Sequence, residues 1–170
     1  MGDNDHMKTT IDSFKNIPSE LKISTLLMLL DEVTDRVSWD EYFIMIASFI
    51  KKRSSCGRLQ VGCVITKNNR VLCTGYNGHV PGAPHTSKVV DNHEQMTIHA
   101  EVNAICHAAK DGISLSESKA YVTHHPCINC AKSLIAAGIN EVVYLTDYKT
   151  DPIATELFLL KGIKIYQVGL

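Results

Sequence analysis

Charge of one sign is what this sequence most plainly lacks. Lysine and arginine total 17 against 18 aspartates and glutamates, and no run of lysines or arginines stands out in the 170 residues. Nucleic acids are held through basic stripes that neutralise phosphates, so none is expected as a partner. A small phosphate needs only one or two cations and stays open. Long apolar runs are missing as well. Leu26-Leu27-Met28-Leu29-Leu30 is far too short to cross a bilayer, and Asp31-Glu32 ends it, so no membrane partner is expected. The opening Met1-Gly2-Asp3-Asn4-Asp5 is acidic and polar, unlike a secretory leader. Six cysteines in a chain of this length do not suggest a disulfide framework. Together these absences predict a cytoplasmic protein, and the length suits one domain with a full core.

What is present alternates between helical and strand periodicity. Residues before about Thr10 are expected to be disordered. Over 18–36, Leu21, Leu26, Leu29, Leu30 and Val33 recur at helical intervals, and proline suits a first helical turn. This helix, with the start before it, forms an N-terminal extension over 1–37, packing on the rest of the chain or on a neighbouring subunit. Ser38-Trp39-Asp40-Glu41 reads as a capping box opening a helix that ends near Arg53. Strands are predicted over 61–66 and 71–75 around an Asn68-Asn69 turn, then over 120–123, 141–145 and 163–168. Helices are predicted over 99–110, 127–137 and 152–161, stopped by Gly112, Gly138 and Gly162. The stretch 76–95 reads as one long irregular loop, a length that is usually functional. Cys63, Cys73 and Cys106 lie in apolar patterns and are expected in the core. The order implies an α/β fold, a mixed five-stranded sheet with helices on both faces, over a domain spanning 38–170.

Two short motifs carry the chemistry: His99-Ala100-Glu101 and Pro126-Cys127-Ile128-Asn129-Cys130. One imidazole and two thiolates hold zinc while leaving its fourth position free, as a catalytic site requires; a structural site normally closes with a fourth protein ligand. Zinc lowers the pKa of a bound water to roughly 7. Glu101 follows the histidine closely enough to move protons without being a ligand. His99, Cys127 and Cys130 are therefore the expected ligands of one zinc, and Glu101 the expected proton shuttle. Both helix starts would direct their positive ends at the site, favouring thiolate over thiol.

H-x-E followed by P-C-x-x-C is the signature of the zinc nucleobase deaminases. From Ser38 onward the chain resembles the deoxycytidylate (dCMP) deaminases, especially the bacterial late-competence type. The matching stretches include Ser38-Trp39-Asp40-Glu41-Tyr42-Phe43, Arg53-Ser54-Ser55-Cys56, Val61-Gly62-Cys63-Val64-Ile65, Gly75-Tyr76-Asn77-Gly78, 98–105, 121–127 and Tyr148-Lys149-Thr150. The resemblance implies a cytidine-deaminase-like three-layer α/β/α sandwich. It implies hydrolysis of dCMP to dUMP, supplying thymidylate synthesis, and a homo-oligomer, usually a hexamer. It also implies dCTP and dTTP as effectors acting at Gly75, Tyr76, Gly78 and Gly82. Asn77 stands where the superfamily places an asparagine against substrate, and Arg53, Ser54 and Arg58 are candidate phosphate contacts. Relatives often bind a second zinc; here Cys56, His85 and His93 remain, with water or Glu94 as fourth ligand, but Thr86 replaces an expected cysteine. The motifs leave other readings open: a deaminase acting on free cytidine, on dCTP, on tRNA adenosine or in the riboflavin pathway, or a non-catalytic zinc-binding subunit. The last would be expected to lose Glu101, which is present.

Overall fold

The computed structural model describes residues 3–90, 93–147 and 151–169, without the side chains of residues 3–7 and of His93. Tyr148-Lys149-Thr150 therefore lies outside the described residues. The chain divides into two compact units, Met1–Val37 and Ser38–Leu170.

In the first unit Asp3–Lys15 forms helix α1 and Ser19–Asp31 forms α2, with Pro18 as N-cap. Over the described residues 3–9, the expectation of disorder before Thr10 is thus corrected to helix. Lys15 in the last turn of α1 suits the helix dipole. No residue of α2 is buried.

The second unit opens with α3, Trp39–Ile50, and its capping box is complete. The Glu41 N–H donates to Ser38 Oγ at 3.2 Å, and the Ser38 N–H donates to Glu41 Oε2 at 2.7 Å. A 3₁₀ turn, Lys51–Arg53, follows. Strands β1 (Gly62–Lys67) and β2 (Arg70–Tyr76) form a hairpin. Asn68 and Asn69 turn it with φ of 52° and 56°, the left-handed pair that a two-residue hairpin loop demands.

The stretch expected as one irregular loop over 76–95 instead holds three short strands, and a fourth follows it. β3 (Gly78–His79) pairs with β6 (Thr97–Ile98), and β4 (Val89–Val90) pairs with β5 (His93–Glu94). Next come α4 (Ala100–Lys110), β7 (Ser118–His124), α5 (Ile128–Ala136), β8 (Ile139–Thr146), α6 (Pro152–Leu160) and β9 (Lys164–Gln167). Gly112 and Gly138 end α4 and α5 in left-handed backbone, at φ of 68° and 90°.

The five-stranded sheet has the order β2-β1-β7-β8-β9. β1 runs antiparallel to β2 and β7, while β8 runs parallel to β7 and β9, so the sheet is mixed as expected. Alternating residues divide the core. Cys63, Ile65, Val122 and Val142 pack with α4, α5 and α6 on one face, whereas Val64, Tyr121 and Val143 pack with α3 on the other. Cys63 and Cys73 are buried, but Cys106 is exposed, against expectation. The buried stripe of α4 runs through Ala100, Glu101, Ala104 and Ala108, and Cys106 falls on its far side.

Candidate active site

Two chain segments meet at one end of the sheet. His99 is the N-cap of α4, in extended backbone after β6. Cys127 is the N-cap of α5, three residues past the end of β7, and Cys130 lies one turn further on. The His99 ring makes no cap bond and the Cys127 sulfur bonds Cys130, so the three donor side chains face one another. The site thus sits beyond the carboxyl ends of parallel strands β7 and β8, the usual position in open α/β sheets.

His99 Nδ1 lies 3.3 Å from Cys130 Sγ and 3.6 Å from Cys127 Sγ. All three donor atoms lie within 4.8 Å of one another. A tetrahedral zinc with bonds of about 2.0–2.3 Å has ligand–ligand edges of roughly 3.3–3.8 Å. The donor set and its nitrogen–sulfur spacing therefore fit zinc. Among the described residues this is the one such group.

The electrostatics agree. A hydrogen bond with Cys130, helped by His99 and opposed by burial, pulls the Cys127 thiol down to about 3. The same bond, with burial and the charge of Glu101, pushes Cys130 up. The hydrogen bond to Cys127 raises His99, whereas burial and the Arg58 charge lower it. Metal binding would release the remaining protons.

Glu101 is buried, only 4 % exposed, in the first turn of α4. Burial raises its pKa, opposed by its own backbone N–H and by His99. Its helix is packed unusually close to the sheet. A Cβ on Gly75 of β2 would lie 2.2 Å from the Ala100 carbonyl oxygen, so only glycine fits there. Asn103 Nδ2 adds a bond to the Tyr76 carbonyl at 2.8 Å.

The remaining candidate residues fall into distinct places. Asn77 is buried, and its amide is engaged within the chain. Oδ1 accepts from the Val61 N–H at 2.7 Å and from Ser54 Oγ at 2.8 Å, and Nδ2 donates to the Leu59 carbonyl at 2.7 Å. Ser54 Oγ also accepts from the Cys56 N–H at 3.1 Å. Together the two side chains clip 54–61 against the end of β2. Arg53 and Arg58 are exposed, and the Arg58 charge reaches His99. Tyr76 is half-buried, Gly78 is buried with Ser55 Oγ 3.3 Å from where a Cβ would sit, and Gly82 turns in left-handed backbone.

Cys56 is buried, while His85 is exposed and stacks on His79 with ring centroids 4.7 Å apart. Neither belongs to a metal-holding group among the described residues, and the side chain of His93 lies outside them. Glu94 is already engaged. It accepts from the Ser87 hydroxyl and from the Lys88 and Met96 N–H groups, each of the latter at 3.0 Å. These bonds, Ser87 first, hold it down at about 2. Glu94 and Asp151 nevertheless line a pocket of about 500 Å³ with His99 and Cys127, a size suited to a small ligand. Asp151 was missed in the sequence, although an Asp-Pro pair opening a helix is a capping signal.

A mixed sheet flanked by helices, with one imidazole and two thiols converging beside a buried carboxyl, defines a zinc hydrolase site of the nucleobase-deaminase kind. The model of the cytidine and deoxycytidylate deaminase zinc-binding region matches residues 37–146. The chain belongs to the cytidine and deoxycytidylate deaminase family. It is 44 % identical over 140 residues to ComE operon protein 2 of Bacillus subtilis (strain 168), covering 80 % of this chain and 74 % of that protein. It is 34 % identical over 153 residues to the deoxycytidylate deaminase of Schizosaccharomyces pombe, covering 82 % of this chain but 47 % of that protein, about half its length. The dCMP deaminase of cyanophage S-TIM5, crystallised with dCMP and dUMP, superposes with a TM-score of 0.70 at 28 % identity, covering 79 % of this chain and 99 % of that one. No helix among the described residues is long and apolar enough to cross a membrane.

Proposed function

We propose that the Ser38–Leu170 unit is a deaminase domain that hydrolyses dCMP to dUMP and ammonia, with Met1–Val37 as an extension. The observation that carries this reading is the convergence of His99, Cys127 and Cys130 within 4.8 Å beside buried Glu101. The cyanophage enzyme's complex with dCMP and dUMP supports the choice of substrate. His99, Cys127 and Cys130 would hold one zinc. When bound, zinc supplies the acidity that makes water nucleophilic near neutral pH.

The chain's own residues do the rest. Glu101 accepts one proton from the attacking water and delivers it to ring N3 of cytosine, then takes the second from the hydroxyl on C4 and gives it to the departing amine. Its burial keeps that proton from bulk water. Water's oxygen ends on C4 and the amine leaves as ammonia, so no further reactant is needed. Arg58, whose charge reaches the site, and Arg53 are the cations assigned to the 5′-phosphate. Ser54 and Asn77 contribute by shaping the 54–61 segment, with one Nδ2 hydrogen of Asn77 left for substrate. Regulation by dCTP and dTTP at the turn from Gly75 to Gly82, and assembly into a homo-oligomer, rest on the resemblance alone.

The test is turnover by the purified chain on cytidine, deoxycytidine, CMP, dCMP, dCTP and a tRNA stem-loop. Hydrogen bonds to charged groups contribute about 1.5–3 kcal/mol each, so two phosphate contacts favour dCMP over deoxycytidine by roughly two to four powers of ten in kcat/KM. Arg58→Ala should lose part of that preference, through KM first. Equal kcat/KM for dCMP and deoxycytidine would sink the nucleotide reading.

A further inference from the structure

The α5 helix begins at Cys127, yet its first amide is held from elsewhere. The Ile128 N–H donates to Asp151 Oδ2 at 2.8 Å, across 23 residues of sequence. The other carboxylate oxygen caps α6, accepting from the Ile153 N–H at 3.2 Å and the Ala154 N–H at 3.3 Å. One half-buried side chain thus joins two helix starts, and one of these carries a metal-binding thiol. Asp151 also borders the pocket that His99 and Cys127 line.

The held amide lies in the peptide plane that leaves the Cys127 Cα. Holding it restrains the ψ of Cys127, which is 166°, and with it the placement of the Cα–Cβ bond that carries the Sγ. A carboxylate is well suited to the task, since its charge strengthens hydrogen bonds from helix-start amides.

We infer that Asp151 is a positioning residue of the metal centre, whose carboxylate sets the start of α5 and so aims the Cys127 sulfur at the point shared with His99 and Cys130. The inference rests on the zinc reading of that triad.

Two variants separate positioning from mere capping. Asp151→Asn keeps an oxygen for α6, asparagine being as good an N-cap as aspartate, but turns a donor towards the Ile128 N–H. Asp151→Ser keeps a cap oxygen and is too short to reach α5. In the full zinc-loaded chain, both should release zinc to a chromogenic chelator about 10–100 times faster than wild type. Both should also shift the visible bands of the cobalt-substituted protein. Asp40→Asn serves as the control, because it weakens the packing of α3 on the opposite face of the sheet. If both Asp151 variants release zinc as slowly as this control, with unshifted cobalt bands, the inference is overturned. A wild-type chain that takes up no zinc would instead sink the metal reading itself, and the inference with it.

Discussion

Gly75→Ala adds one carbon and two hydrogens at the tightest contact beside the site. The new Cβ would lie 2.2 Å from the Ala100 carbonyl oxygen and 2.5 Å from the Ala104 nitrogen, both of them backbone atoms of α4. Neither can swing aside as a side chain would, so the start of α4 must retreat from β2 by about 1 Å, a misplacement that commonly costs about 10²-fold in rate. The atoms struck flank Glu101, and His99 is the residue before Ala100, so ligand and proton carrier move together. Overpacking of this kind costs about 1–3 kcal/mol. At about 2–4 °C per kcal/mol for a chain of this size, the melting temperature should fall by roughly 2–12 °C. Gly57→Ala is the matched control, since nothing lies within 4 Å of its Cβ and its φ is not left-handed. Calorimetry and kcat/KM on dCMP are the assays. A Gly75→Ala protein that melts and turns over like Gly57→Ala would refute the close-packing argument. So would one that keeps its basal rate and changes only its response to dCTP, which would return Gly75 to the effector role that the family resemblance implies.

Glu101→Gln keeps the shape of the side chain but removes its proton traffic. Bound zinc should stay at one per chain by elemental analysis while kcat falls by about 10²–10⁴; loss of zinc would make Glu101 a ligand instead. Cys127→Ser or Cys130→Ser should remove the zinc, because an alcohol does not ionise as these thiols do, and two zincs per wild-type chain would show a second site. Asp40→Asn tests the far face of the sheet, where Asp40 Oδ1 meets Lys119 Nζ at 2.8 Å and the Tyr121 hydroxyl at 2.9 Å, and Oδ2 meets the Tyr166 hydroxyl at 2.7 Å. Burial pushes the Asp40 carboxyl up, but the bonds from Lys119, Tyr166 and Tyr121 outweigh it and leave the pKa lowered. A depressed folded pKa adds stability above the unfolded value of about 3.9 and loses it as pH falls through the folded one. The wild type should therefore exceed Asp40→Asn by about 1.5–3 kcal/mol near neutrality, with the gap closing on acidification below about pH 4. A gap that stays constant from pH 7 to pH 3 would contradict this account.

What could be read from the residues was local, and what could not was made by partners distant in sequence. The capping box at Ser38, the Asn68-Asn69 hairpin and the two halves of the metal motif, His99 to Glu101 and Cys127 to Cys130, each depend on spacings of one to three residues that local backbone geometry turns into contacts directly, whereas the 28 residues between His99 and Cys127 are bridged by the fold. The four short strands between Gly78 and Ile98 leave no such trace. Two-residue strands carry no period, and each exists only because its partner is brought alongside. Side chains that suggest binding are equally ambiguous. Asn77 in a Gly-Tyr-Asn-Gly turn invites a ligand, but Leu59, Val61 and Ser54 reach its amide from 16 to 23 residues away. Glu94 invites a metal in the same way and is engaged by Ser87, Lys88 and Met96. A polar residue in a loop advertises capacity for hydrogen bonds, and sequence does not say whether the chain itself has already used it. Asp151 shows the converse. Its capping of α6 is a local property that the Asp-Pro pair signals, whereas its hold on Ile128 arises only because β7, α5 and β8 bring the two helix starts together. Motif spacing thus identifies the atoms that can carry the chemistry, and the long-range contacts determine how firmly those atoms are aimed.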